Sequence, residues 1–158
     1  PFGSMITPLT GNEMNFYDLL LPEDPGTVVM NGKQYAWNTW GEILIPASDS
    51  QVWAMYANEF YEGGPAVTFR KLGKGTVTYV GVDSHNGALE KDILKKLYAQ
   101  LQIPVMDLPY GITVEYRNGL GIVLNYSDRS YTFDIPEGSK VLVGTEEIPT
   151  AGVLVFSM

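Results

Sequence analysis

Between Pro65 and Val80 two β-rich runs face each other across Gly73-Lys74-Gly75. Val67 and Phe69 alternate with Thr68 and Arg70, and Val77 and Tyr79 alternate with Thr76 and Thr78. Alternation sends successive side chains to opposite faces of a strand. The stretch therefore predicts an antiparallel hairpin with one apolar face and one polar or small face. Pro65 opens the first run, where its missing N–H costs least.

The same logic repeats along the chain. Asn31-Gly32 separates Val28-Val29-Met30 from Gln34-Tyr35-Ala36-Trp37, and Asn118-Gly119 separates Ile112–Tyr116 from Leu120–Tyr126. Asn-Gly supplies the positive φ angles of a type I′ turn, so both pairs predict hairpins. Trp40 to Ile45 and Val52 to Ala57 read as further strands. Asn15 to Leu21 is an apolar cluster with room for one or two helical turns, stopped by Pro22 and Pro25. Leu89, Ile93, Leu94, Leu97 and Leu101 recur at helical spacing and predict one main helix over about 87–102. Its early acids, Glu90 and Asp92, and late bases, Lys95 and Lys96, suit the helix dipole. Asp92 and Lys96 stand four apart and are expected to pair. Pro104 to Pro109 reads as a linker. Short strands then follow at Tyr131 to Ile135, Lys140 to Val143 and Gly152 to Phe156, a spacing that suits a small sandwich or barrel. The fold class expected is α+β, mostly β, with hairpins around one helix followed by a small all-β sandwich-like domain. Pro1–Ser4 reads as a vector remnant ahead of Met5, leaving domains at 5–104 and 105–158.

Chemistry is harder to find. Eighteen acidic residues against ten basic ones give a net charge of −8. Nucleic acid is not an expected partner, because phosphate backbones attract clustered Lys and Arg. No apolar run approaches the roughly 20 residues of a membrane span, so no membrane partner is expected. The chain has no cysteine, which removes thiol nucleophiles, thiolate metal sites and disulfides. No basic stretch followed by an apolar run opens the chain; a cytoplasmic location is favoured, with the natural N-terminus out of view.

Gly73-Lys74-Gly75-Thr76 lacks the spacing and the following helix of a phosphate loop. Gly119-Leu120-Gly121 lacks the third glycine of a dinucleotide turn, since Leu124 holds that place. His85 and Asp83 supply too few ligands for a metal site. With Ser84 they sit on one turn, which cannot align a nucleophile, base and orienter. Glu59 and Glu62, and the adjacent Glu146 and Glu147, are not spaced to oppose carboxyls across a cleft. No catalytic residue, cofactor or metal is therefore assigned. Asn125-Tyr126-Ser127 matches a glycosylation sequon. The remaining candidates are aromatic. Trp37, Trp40, Trp53 and Tyr61, with Tyr35 and Tyr56 nearby, fit either a sugar-stacking platform or a core or subunit interface.

The run Tyr61-Glu62-Gly63, Pro65-Ala66-Val67-Thr68 and then Leu72-Gly73-Lys74-Gly75-Thr76-Val77-Thr78-Tyr79-Val80-Gly81 resembles the β-galactosidases of glycoside hydrolase family 42. Trp40-Gly41-Glu42 is similar to the piece shortly before it, and Ala88 to Leu101 to the helix that closes the same domain. Gly111 to Phe156, with Leu124-Asn125-Tyr126-Ser127, resembles the family's C-terminal β-domain. The resemblance implies that 5–104 is part of an amidotransferase-like middle domain that makes the trimer. It implies a role in structure and oligomerisation, with the rest of the parent glycosidase and further copies as partners. The barrel that carries the family's catalytic glutamates has no counterpart here, so the fragment is expected to be non-catalytic. A carbohydrate-binding module built on Trp37, Trp40 and Trp53 is the alternative.

Overall fold

In the computed structural model, residues 5–158 are described; the vector-remnant reading of Pro1–Ser4 lies outside them. Contacts divide the chain into two units, Pro1–Pro104 and Val105–Met158.

The first unit begins with one helical turn, α1 (Thr7–Thr10), closed by Gly11 in the left-handed conformation. Six strands and a short seventh follow: β1 (Asn12–Asp18), β2 (Gly26–Met30), β3 (Lys33–Pro46), β4 (Gln51–Tyr56), β5 (Pro65–Leu72), β6 (Gly75–Val80) and β7 (Val82–Ser84). A 3₁₀ turn at His85–Gly87 leads into helix α2 (Ala88–Gln100). The sheet order is β1-β3-β2-β4-β5-β6, with β7 on β3.

β3 makes this arrangement possible. Its first half pairs with β2, from Met30↔Lys33 to Gly26↔Trp37. Its second half pairs with β1, from Asp18↔Gly41 to Asn12↔Pro46. Between the halves Thr39 takes φ 74, a left-handed value that breaks the regular pleat. β7 meets β3 at Trp37↔Ser84 and Gly41↔Val82. The paired strands thus run from β3 through β2, β4 and β5 to β6, and the chain continues past Gly81 into β7, which pairs with β3 again. Gly81 sits at the return. It donates to the Ala66 carbonyl at 2.9 Å and accepts from the Glu42 N–H at 2.6 Å. A Cβ there would stand 3.2 Å from the carbonyl oxygens of Ala66 and Glu42, a close approach that glycine permits.

Both flagged hairpin turns of this unit form. Asn31 and Gly32 have φ 53 and 79, as a type I′ turn needs. Leu72 pairs with Gly75 across the second turn. Three local expectations change. Asn15 to Leu21 is not helical: β1 runs through most of it, with Met14, Phe16, Asp18 and Leu20 turned inward and their neighbours outward. Its backbone groups complete the edge of β3, which would otherwise stand unpaired. Trp40 to Ile45 is a continuation of β3 instead of a separate strand. β5 is buried on both faces instead of one, because Thr68 is covered and accepts a hydrogen bond from Asn12 Nδ2 at 2.7 Å.

The helix falls where its periodicity puts it, two residues shorter at the C-terminal end than expected. Leu89 and Ile93 are buried, with Leu97 packed behind them, while Leu94 remains exposed. Its entry resembles a capping box drawn out over the 3₁₀ turn. The Ser84 hydroxyl accepts from the Leu89 N–H at 2.9 Å and donates to Glu90, whose other oxygen accepts from the Ser84 N–H at 3.0 Å. Asp92 does not pair with Lys96. It accepts from Lys33 at 2.6 Å and from the Tyr35 hydroxyl at 2.8 Å, while Lys96 lies 3.9 Å over the Trp53 ring. A tertiary partner and an aromatic face outcompete the exposed i,i+4 pair, which is worth only about 0.2–0.5 kcal/mol.

The second unit contains β8 (Ile112–Arg117), β9 (Leu120–Asn125), β10 (Tyr131–Thr132), β11 (Lys140–Val143), β12 (Glu147–Ile148) and β13 (Val153–Ser157). A four-stranded sheet, β11-β13-β9-β8, accompanies a two-stranded one, β10-β12. Ile112, Val123, Phe133, Ile148, Leu154 and Phe156 form the core. Phe156 stands directly opposite Gly121, and a Cβ on that glycine would lie 2.2 Å from its ring. The missing side chain is what admits the phenyl group. Asn118 and Gly119 again take positive φ, 52 and 76. The chain is α+β and mostly β.

Candidate functional site

The aromatic residues singled out in the sequence do not form one surface. Trp37 is fully buried, held between Gly26 and Gly41; a Cβ on either glycine would come within 2.4 Å and 2.6 Å of its indole. Its face is spent on the core, where it meets Tyr56 edge-on at 5.5 Å. Tyr61 is also buried and meets Tyr56 at 5.0 Å. Trp53 lies apart, stacked on Phe69 at 4.5 Å and capped by Lys96. Trp40 alone is half-buried, stacked on Tyr17 at 4.6 Å.

Around Tyr56 and Tyr61 the first unit builds a network of rings and carboxylates. Tyr61 donates to Asp18 at 2.7 Å. Tyr79 and the Trp40 indole donate to the two oxygens of Glu42, at 2.5 Å and 3.2 Å. Tyr56 donates to the Glu42 backbone carbonyl at 3.0 Å. Burial, and then the hydrogen bond to Glu42, push the Tyr79 hydroxyl up to about 12. Burial also raises Tyr56 and Tyr61, helped by the charges of Glu42 and Asp18 respectively. Desolvation penalises the phenolate, and a neighbouring carboxylate penalises it again. These hydroxyls stay protonated and act as donors. Asp18 and Glu42 serve as anchors for the fold's own donors. Glu59 and Glu62 are exposed on the turn before β5, and Glu146 and Glu147 are exposed in the second unit. Among the described residues, no group of three or more His, Asp or Glu is placed to hold a metal.

The network reaches the surface at Phe60. Phe60 is 84% exposed, yet its ring stacks on Phe16 at 5.5 Å and meets Tyr61 at 4.9 Å. Leu19 and Leu21, just beyond β1, are exposed as well. A phenyl ring that open to water, stacked on one ring and edge-on to another, has the character of an interface anchor. Phe16 is hidden from sequence reading because Asn15 to Leu21 also has room for a helical turn, and Phe60 because nothing local separates it from its neighbour Tyr61. The alternation of Met14, Phe16 and Asp18 with Glu13, Asn15 and Tyr17 was the available signal.

The sequon asparagine is unavailable. Asn125 is buried; its Nδ2 donates to the carbonyls of Arg129 and Ile148 at 2.8 and 2.9 Å, and its Oδ1 accepts from the Ser127 N–H at 2.9 Å. The amide that a glycan would modify is committed to the backbone.

Solved structures show the same fold. The chain superposes on a β-galactosidase from Bacillus circulans sp. alkalophilus with a TM-score of 0.80 at 21% identity, covering 98% of this chain and 25% of that one. For the β-galactosidase of Rahnella sp. R3 the TM-score is 0.81 at 23% identity, covering 99% and 25%. For that of Halorubrum lacusprofundi it is 0.82 at 26% identity, covering 99% and 24%. The architecture is thus one found in β-galactosidases.

The sequence narrows the class. The β-galactosidase trimerisation domain model matches residues 1–109, and the β-galactosidase C-terminal domain model matches residues 111–158. The chain belongs to the glycoside hydrolase family 42 β-galactosidases, as their trimerisation and C-terminal portion. These two domains of the family are non-catalytic. Among curated relatives, β-galactosidase BgaP of Planococcus sp. strain L4 is 26% identical over 158 residues, covering 89% of this chain and 23% of the relative. β-Galactosidase LacA of Lactobacillus acidophilus is 38% identical over 73 residues, covering 46% and 11%. The chain spans between 11% and 23% of the length of the curated relatives it matches.

Proposed function

We propose that this chain is the assembly portion of a larger β-galactosidase: its first unit joins copies into a homotrimer, while a catalytic domain of the parent hydrolyses terminal β-galactosides. The trimerisation-domain match across 1–109 carries the reading. The exposed, stacked Phe60 supplies the physical means. Saccharide contact through Trp37 and Trp53 finds no support in their burial.

Light scattering on the purified chain tests the assembly. The expected mass is that of a trimer at high concentration, falling toward the monomer in Phe60→Asp with unchanged circular dichroism. A mass equal to one chain at every concentration would count against assembly by this unit. Incubated alone with nitrophenyl galactoside, the chain is expected to release no nitrophenol; steady turnover would contradict the division of labour.

A further inference from the structure

The second unit carries a cleft of its own, lined by residues between Pro109 and Tyr131. It encloses about 530 Å³, within the roughly 300–1,000 Å³ range of small-ligand sites. Tyr110, Tyr126 and Tyr131 line it together with Asp128, Arg129 and Ser130. Tyr110 is 99% exposed and Tyr126 71% exposed. Both rings stand open to solvent beside one cleft, where their faces are available to a ligand.

The cleft is also preorganised. The Tyr126 N–H donates to the Gly111 carbonyl at 2.6 Å. Gly111 has φ +83, and a Cβ there would stand 2.8 Å from the Ser127 nitrogen. That close approach brings Tyr110 and Tyr126 to one opening. On the other side, buried Asn125 ties down the turn from Ser127 to Arg129. The turn is fixed before any ligand arrives, which lowers the ordering cost of binding.

We infer that this cleft is a saccharide-binding site that takes a neutral pyranoside unit. A pyranose has an apolar C–H face for a tyrosine ring and hydroxyls that both donate and accept. Asp128 accepts, Arg129 donates and Ser130 does both. An anionic ligand is opposed by Asp128 and by the net charge of −8. A wholly apolar ligand would desolvate Asp128 and Arg129 without partners. The site lies within one chain and does not rest on the assembly reading.

The test is a titration of the ¹⁵N-labelled 158-residue chain with lactose, and separately with cellobiose, followed by amide NMR. At least one disaccharide is expected to shift the amides of Tyr110 and of Tyr126 to Tyr131, with affinity on the order of 1 mM. Tyr126→Ala is expected to weaken binding at least about tenfold, while Tyr126→Phe keeps it, because the ring face makes the contact. Tyr126 is exposed, and unchanged dispersion of the core amides would show that the variant folds. No shift with either sugar at tens of millimolar overturns the assignment. So do shifts confined to the first unit, or binding indifferent to Tyr126→Ala.

Discussion

The two units handle aromatic residues in opposite ways. The first contains all the tryptophans and buries Trp37 and Trp53 with Tyr56 and Tyr61; among its described phenylalanines, only Phe60 is largely exposed. The second keeps a small core of aliphatic residues and two phenylalanines and turns Tyr110 and Tyr126 outward. The difference follows from topology. A sheet path that closes on itself around β3 has an inside large enough for an indole, given Gly26 and Gly41. A four-stranded sheet with a two-stranded companion does not; it needs Gly121 empty merely to admit Phe156. Aromatic density in a sequence therefore says little about exposure until the pairing of strands is known.

The sharpest way to break this comparison is to empty the first core. Trp37→Ala is expected to cost about 3–5 kcal/mol, the range for large aromatic truncations. Trp40 and Trp53 remain as fluorescent reporters of the first unit in a urea titration. An effect below about 1 kcal/mol would mean that the buried rings do not hold it together.

The second unit depends instead on a polar group. Asn125→Ala strands the Arg129 and Ile148 carbonyls and the Ser127 N–H. The expected cost is about 3 kcal/mol, since each orphaned buried group costs roughly 1–3 kcal/mol. Hydrogen exchange of the Val123 and Leu154 amides reads it. A change indistinguishable from zero would show that water satisfies these groups equally well.

Alkaline pH separates the units further. Tyr35 and Tyr79 have hydroxyls pushed up to about 12 from 10.0, both by burial first and then by hydrogen bonds to Asp92 and Glu42. A group whose folded pKa is raised contributes stability that is complete below its unfolded pKa and lost as pH climbs through the folded one. The first unit is expected to weaken between about pH 10 and 12. Tyr79→Phe should flatten part of that slope, as followed by tryptophan fluorescence in urea; an unchanged slope would assign the loss elsewhere.

The smallest effect is at the helix. Lys33 and then Tyr35 hold the Asp92 carboxyl below its usual range, so this contribution is present above the ordinary value of 3.8 and fades as pH falls. Lys33 is largely exposed. Asp92→Asn is accordingly expected to cost no more than about 1 kcal/mol at neutral pH, with a shallower acid limb.

Much of the framework was legible because local chemistry and final structure agree. The two Asn-Gly turns, the hairpin across Gly73 and Gly75, and the face of α2 carrying Leu89 and Ile93 all follow from turn geometry and periodicity. β1 was only half legible: its alternation fits a strand and its apolar cluster fits a helical turn, and the distant edge of β3 decides between them. Local spacing pairs Asp92 with Lys96, whereas the fold gives it Lys33, fifty-nine residues away. The outward rings were the hardest to see. Phe60 and Tyr61 are neighbours of similar character, and the turn geometry around Glu59, at φ 67, sends one out and the other in.

The central claim, that the first unit joins copies through the surface at Phe60, is tested most directly by a photo-cross-linking benzoylphenylalanine at position 60. Irradiation of the purified chain is expected to give covalent dimer and trimer bands whose yield rises with protein concentration. Monomer alone at every concentration, with light scattering also monomeric, would contradict it.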